Sequence, residues 1–437
     1  MTDYLIRGGR VVDPASGRDE VADVLIRSGR IEKIGRELDG EAAEVIDASG
    51  AVVAPGLVDL HTHVREPGRE DEETIATASA AAAAGGYTAI TAMPNTDPVA
   101  DSAAVTEKVW ALGRAAGLVR VVPAGAISKG LAGERMADIG AMATSIAAVP
   151  LFTDDGRGVQ SSLFARRAME YIAGFGAVYA EHCEDDALAA GGQMHEGRRS
   201  QALGLRGIPA AAEELMAARD IALCRLTGCR LHLLHVSAAG TVDIVRRAKE
   251  EGLSVTAEVT PHHFTLTDEA LATYDPLMKV NPPLRGEEDR AALVAGLADG
   301  TIDAIATDHA PHALEEKDRE FELAPPGMLG LETALALTIT ELVRPGHISL
   351  SRAVECLAST PARILGLSDH GRLMEGMEAN VVVFDPGERW IVDPTRLHSL
   401  AANTPFAGCE LTGRVRHVFF GGVLTVSGGR VAEAMPA

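Results

Sequence analysis

Between residues 55 and 369 short apolar segments alternate with longer helix-like stretches. Eight strands are predicted, over Leu57–His63, Thr88–Met93, Val119–Ala126, Ala147–Thr153, Ala177–His182, Leu231–His235, Ser254–Val259 and Asp303–Thr307. Helical patterns fall between them, as over Glu73–Ala84, Ala210–Leu226, Thr241–Glu251 and Glu288–Ala298. Strands separated by helices run parallel, because each helix carries the chain back to the start of the next strand. Eight such repeats predict an α/β fold: a (β/α)8 TIM-type barrel with its reactive groups at the C-terminal strand ends. A doubly wound open sheet is the competing architecture, but no glycine-rich dinucleotide fingerprint follows any strand.

The two ends of the chain read differently. Tyr4–Arg7, Arg10–Asp13, Asp23–Ile26 and Arg30–Ile34 are predicted as short strands, with turns at Gly8-Gly9 and Ser28-Gly29. The tail repeats the style with apolar runs at Ala379–Phe384 and Val415–Phe420. Residues 1–54 and 370–437 are therefore expected to form one small β-sandwich-like domain from both termini, beside a catalytic barrel over 55–369.

Charge and cysteine usage exclude several function classes. A formal net charge of −22 without a basic tract disfavours nucleic acid and anionic membranes. Cys183, Cys224, Cys229, Cys356 and Cys409 are scattered and odd in number, which argues against a disulfide framework and for a reducing, cytoplasmic setting. No apolar run is long enough for a membrane span.

Chemistry gathers where the predicted strands end. The first ends in His61, His63 and Arg65; positions two apart share a face, so the two imidazoles project together. The second ends in Asn95, the fourth in Asp154-Asp155, the fifth in His182, the sixth in His235 and the eighth in Asp308. Each alone has a structural explanation, as a helix cap or a satisfied core histidine. Together, four histidines and two aspartates on one rim can surround two metal ions, zinc being favoured by nitrogen and oxygen donors. A carboxylate bridging both ions would offset their repulsion, and water between them would be acidified. Residue spacing leaves the choice between Asp154 and Asp155 open. His232, three residues before His235, is expected to face away. His262 and His263 are candidates only for supporting the ligands, and His195, His347, His370, His398 and His417 lie outside the pattern.

These motifs resemble the amidohydrolase superfamily and, within it, the bacterial class I dihydroorotases. The resemblance rests on Pro55–Gly68, with its His61-Thr62-His63 and Arg65-Glu66-Pro67-Gly68, and on Met93-Pro94-Asn95-Thr96. It continues in Phe152–Gly156, Glu181–Asp185, Ala257–His263, Asn281–Arg285 and Ala306–His312. It implies that His61 and His63 bind one zinc ion, His182 and His235 a second, and that Asp155 bridges them. Asp308 would bind metal and act as the general acid/base. His63, Arg65, Asn95, Asn281, His312 and the Pro326-Gly327 backbone would contact substrate. The family pattern implies an aromatic residue where Pro326 stands; the departure bears on the loop Ala313–Met328, read as a lid. The implied reaction is the reversible cyclisation of N-carbamoyl-L-aspartate to L-dihydroorotate in pyrimidine synthesis. Hydantoinases and dihydropyrimidinases are similar too, but they bridge their metals with a carboxylated lysine, and no lysine occurs here between Lys129 and Lys249. Allantoinase is the next neighbour; the strand-one arginine and strand-two asparagine weigh against it. Relatives that have lost metal ligands serve as scaffolds for aspartate transcarbamoylase, whereas here every expected ligand is present. The resemblance leaves room for a homodimer and for association with that partner.

Overall fold

The computed structural model describes residues 2–432; residue 1 and residues 433–437, assigned above to the terminal β domain, lie outside the described residues. Among the described residues, parallel barrel strands occupy Leu57–Thr62, Tyr87–Ala92, Arg120–Pro123, Leu151–Phe152, Val178–Glu181, Arg230–Leu233, Val255–Val259 and Ala304–Ile305. Backbone ladders join the first three in one arc and the last five in another. Parallel bridges Gly125–Phe152 and Thr62–His309 connect the arcs and close the ring. A closed ring leaves no unpaired sheet edge.

Small side chains fill the interior. Ala89, Ala124, Ala180, Ala304 and Ala306 meet Val58, Leu60, Leu151, Val178 and Leu234 in one buried cluster. Larger side chains such as Phe152, Tyr179, Leu231 and Leu297 pack between strands and helices. The helix Ile75–Ala84 shows how the local sequence sets an element. Thr74 caps it by accepting from Thr77 N, and Thr77 Oγ1 accepts from Thr74 N. Ala81, Ala82 and Ala83 are fully buried, so the helix lies close against the strands. Among the described residues no helix is long and apolar enough to cross a membrane.

The observed strands are shorter at the rim than predicted. Asp303–Thr307 contributes only Ala304–Ile305 to the ladder, because the following residues leave it to aim their side chains inward.

The terminal segments share one nine-stranded sheet. Val52–Pro55 runs parallel to Tyr4–Asp13 and antiparallel to Val381–Ile391, which welds the two ends of the chain together. The predicted turn at Gly8-Gly9 is not one: Tyr4–Asp13 is a single strand, and the pair marks a register shift against Arg18–Arg27, with Gly8 at φ +72°. A bulge of this kind needs a residue that tolerates positive φ. Val381–Ile391 and Glu410–Phe420 pair antiparallel and run longer than predicted. The chain between them, residues 392–409, leaves the sheet and crosses to the barrel mouth, where Asn403 bonds to Ala310, His312 and Gly327.

Candidate metal centre and substrate pocket

Asp155 sits at the centre of the barrel mouth, 3% exposed. His61 Nε2 lies 3.3 Å and His63 Nε2 3.5 Å from its Oδ2. On its other oxygen, His235 Nε2 lies 3.4 Å and His182 Nδ1 3.7 Å from Oδ1. Asp308 Oδ1 is 3.1 Å from His63 Nε2 and 3.5 Å from His61 Nε2. Six residues from five strand ends thus converge: five form two groups of three that share Asp155, and Asp308 lies against the His61–His63 group. Asp154 points elsewhere: its Oδ1 accepts from the backbone N–H of Ile127 and Ser128 at 2.8 and 2.9 Å. The neighbouring aspartate is thereby left for the histidines.

Backbone geometry does the aiming. His235 has φ +30°, Asp308 +46° and Arg65 +59°, all in the left-handed region that non-glycine residues avoid. The turn at His235 explains a departure from the sequence reading. His232 does not face away; its Nε2 lies 3.0 Å from Glu258 Oε2 inside the barrel, and Glu258 Oε1 lies 3.0 Å from His61 Nδ1. Both histidines point inward because the left-handed residue breaks the two-residue alternation. Arg65 likewise does not continue the first strand, which ends at Thr62.

Glu258 was not singled out by the sequence reading, yet it sets the first half-site. It is fully buried, and its charge is compensated: burial would raise its pKa, but hydrogen bonds to His232 and His61 bring it down to about 2. An ionised Glu258 accepts from His61 Nδ1–H and leaves the Nε2 lone pair facing Asp155 and Asp308. Asn95 does the same for His63, with Oδ1 at 3.0 Å from Nδ1. The amide group of Asn95 then remains for a ligand.

The electrostatics fit a divalent cation. Burial alone would raise the Asp155 carboxyl, but His61, His182 and His235 outweigh it and hold it well below the usual carboxylate range. Asp308 is lowered against burial by His61, His63 and His235. In turn His182, despite burial, is raised to about 10 by hydrogen bonds to Asp155 and Glu184. His61 is raised too, its burial outweighed by the Asp155 and Asp308 carboxylates. Among the described residues, buried His61 Nε2 and Asp155 Oδ1 have no hydrogen-bond partner, as expected of atoms whose partner is a metal. The donor set therefore fits such ions.

A cavity of about 200 Å³ opens over this centre, walled by Arg65, Asn95, Asn281, His312 and the Pro325–Gly327 backbone. Arg65 Nε donates to Pro311 O at 3.0 Å and lies 3.2 Å from Glu72 Oε2. His312 Nδ1 lies 2.9 Å from Glu72 Oε1, and its Nε2 2.9 Å from Pro326 O. Glu72, also missed in the sequence, thus sets two cationic or donor groups against the cavity. Asn281 Nδ2 donates to Glu184 Oε1 at 3.3 Å, and its buried Oδ1 has no partner among the described residues. His263 is tied to Thr260 and Pro282 and joins neither ligand group. The loop over Ala313–Met328 is held by Lys317 Nζ, which donates to Pro325 O at 2.9 Å and Gly327 O at 3.0 Å.

Comparison with known proteins agrees with this architecture. A family model described as dihydro-orotase-like matches residues 50–240. The chain is 52% identical to a dihydroorotase of Pelotomaculum thermopropionicum, over 94% of this chain and 95% of the relative. It is 48% identical to a dihydroorotase of Streptomyces coelicolor, over 99% and 100% of the two chains. Among solved structures, the L-hydantoinase (dihydropyrimidinase) from Arthrobacter aurescens superimposes with TM-score 0.88 at 28% identity, covering 99% of this chain and 98% of that one.

Proposed function

The chain belongs to the dihydroorotase family, and from that premise we propose that it interconverts N-carbamoyl-L-aspartate and L-dihydroorotate in pyrimidine biosynthesis. The observation that carries this is the placement of two metal-ligand groups sharing Asp155 beneath a wall of Arg65, Asn95 and His312. The first is suited to a cyclic amide and the second to a carboxylate. The solved neighbour named above is a hydantoinase, but at the end of strand four this chain offers Asp155 and no lysine.

His61 and His63 would hold one zinc ion, His182 and His235 the other, with Asp155 between them and Asp308 on the first. Bound ions supply Lewis acidity, polarising the ring amide carbonyl and acidifying water. The protein does the rest. Arg65, Asn95 and His312 bind the carboxylate and orient the ring, so that the amide carbonyl faces Asp155 and Asp308. His63, at the edge of the cavity, and Asn281, through its free Oδ1, complete the substrate contacts with the Pro326-Gly327 backbone. In hydrolysis Asp308 takes a proton from the attacking water and returns it to the leaving ring nitrogen. In ring closure it removes a proton from the ureido nitrogen, which attacks the side-chain carboxyl carbon; one carboxyl C–O bond then breaks, and that oxygen leaves as water with the proton returned by Asp308. The cavity wall excludes bulk water around these transfers.

The proposal includes class I membership, a catalytic barrel over 55–369 and a supporting β domain from 1–54 and 370–437. It also includes a cytoplasmic location, supported by five unpaired cysteines, and leaves homodimer formation or docking to aspartate transcarbamoylase to gel filtration with and without that partner. The deciding experiment is zinc analysis together with hydrolysis assays on dihydroorotate, hydantoin, dihydrouracil and allantoin. Turnover of dihydroorotate well above the other three is expected; preference for another ring would overturn the assignment.

A further inference from the structure

Antiparallel neighbours are usually joined by about two to five residues. The connection between Val381–Ile391 and Glu410–Phe420 instead runs over residues 392–409. It spends that length reaching the barrel mouth. There Ser399 and Leu400 N bond to Glu73, which also faces His309 Nε2 at 3.2 Å.

Asn403 lies on this strap and is only 3% exposed. Its Oδ1 accepts from His312 N at 3.1 Å. Its Nδ2 donates to Ala310 O at 3.0 Å and to Gly327 O at 3.2 Å. Its own carbonyl accepts from Leu329 N at 3.1 Å. A buried amide is costly unless such bonds replace water, and all of these go to two segments that wall the cavity. One segment carries His312 and the other the Pro326-Gly327 backbone. The segments approach so closely that a Cβ on Gly327, which has φ +138°, would lie 2.8 Å from Ala310 Cβ and 2.9 Å from His312 Nε2. The two stretches also meet directly, through Ala310 N donating to Met328 O at 2.9 Å and His312 Nε2 at 2.9 Å from Pro326 O, and the Asn403 side chain adds a third tie that bonds to both at once.

We propose that Asn403 is a positioning residue for substrate binding: the 392–409 strap delivers an amide that sets the spacing between His312 and the Gly327 backbone. The kinetic consequence rests on the function proposed above, whereas the positioning itself does not. The strap thus makes the β domain part of the pocket, although it contributes no group that touches the reacting atoms.

The test uses the full, zinc-loaded chain with Asn403→Ala, and Thr395→Ala as a control on the exposed part of the same strap. Asn403→Asp, equal in size, keeps the acceptor for His312 N and removes both donations, which covers a failure of the alanine variant to fold. Hydrogen exchange is measured without substrate. Amides of Ala310, His312 and residues 327–329 are expected to exchange at least about tenfold faster in the Asn403 variants. Segments carrying His182 and His235 should be unchanged, as should the control. KM for dihydroorotate should rise about tenfold with kcat changed less than about threefold and zinc content intact. Exchange indistinguishable from the control overturns the proposal, and so does faster exchange with an unmoved KM in an active enzyme. If the parent chain does not turn over dihydroorotate, the functional reading falls, and the exchange result alone decides the role of Asn403.

Discussion

At His235 the main chain turns through φ +30°, and that one residue decides whether the sixth strand delivers one histidine to the barrel interior or two. Residue-scale devices of this kind dominate the site. In the proposed reaction Asp308 would carry the most exacting role, since it would hold a proton at one atom in both directions. Asp308→Asn keeps an oxygen donor but cannot take the proton. Its kcat is expected to fall by about 10²- to 10⁴-fold, while metal analysis still finds most of the zinc; near-normal turnover would remove Asp308 from the mechanism. Glu258 is a different case because it never meets substrate. It fixes the His61 ring through a 3.0 Å contact with Nδ1. Glu258→Gln should weaken zinc binding by about 10- to 100-fold, read by competition with a chelator. Unaltered affinity would reduce the His232–Glu258–His61 chain to core packing.

At the scale of elements, the barrel strands are short, and the helices that follow them carry much of the local specification. Their boundaries were legible because caps are local. Glu73–Ala84 was expected and Ile75–Ala84 is found, starting just after the Thr74 cap. Thr74→Ala should lower stability by about 1 kcal/mol, seen as a fall of roughly 1–2 °C in the thermal midpoint. Zinc content should not change, since the cap touches no ligand. Strand ends were less legible. A strand end is defined by the partner it pairs with, and Ala304–Ile305 has fewer partners than its apolar run suggested. The Gly8-Gly9 pair shows the same limit in reverse. Two glycines signal a turn locally, but the neighbouring strand continues the pairing past them.

For the whole molecule, the sheet built from both termini does more than cover the barrel. Val52–Pro55 leads into the first barrel strand after one residue, Gly56, and is itself paired with Val381–Ile391. A chain ending at residue 369 would lose that partner, expose a sheet edge next to the first ligand strand and lose Asn403. It is expected to elute as aggregate in size-exclusion chromatography with light scattering; a monodisperse, zinc-binding product would show that the barrel stands alone.

The sequence by itself determined the repeating strand–helix order, the closed barrel it implies, and the residues that could bind metal at strand ends. Those properties follow from periodicity and from which side chains can donate to a cation, and both are written locally. Spacing left Asp154 and Asp155 open and the family resemblance chose Asp155, which the tertiary structure sets against the histidines; only the tertiary structure decided that His232 turns inward. It alone brought Glu72, Glu258 and Asn403 to the site, because a contact across some 200 residues of chain, as between His61 and Glu258, leaves no mark in the spacing of either partner. Burial then made those contacts matter, since a charged or amide group without water must find its partner inside the fold.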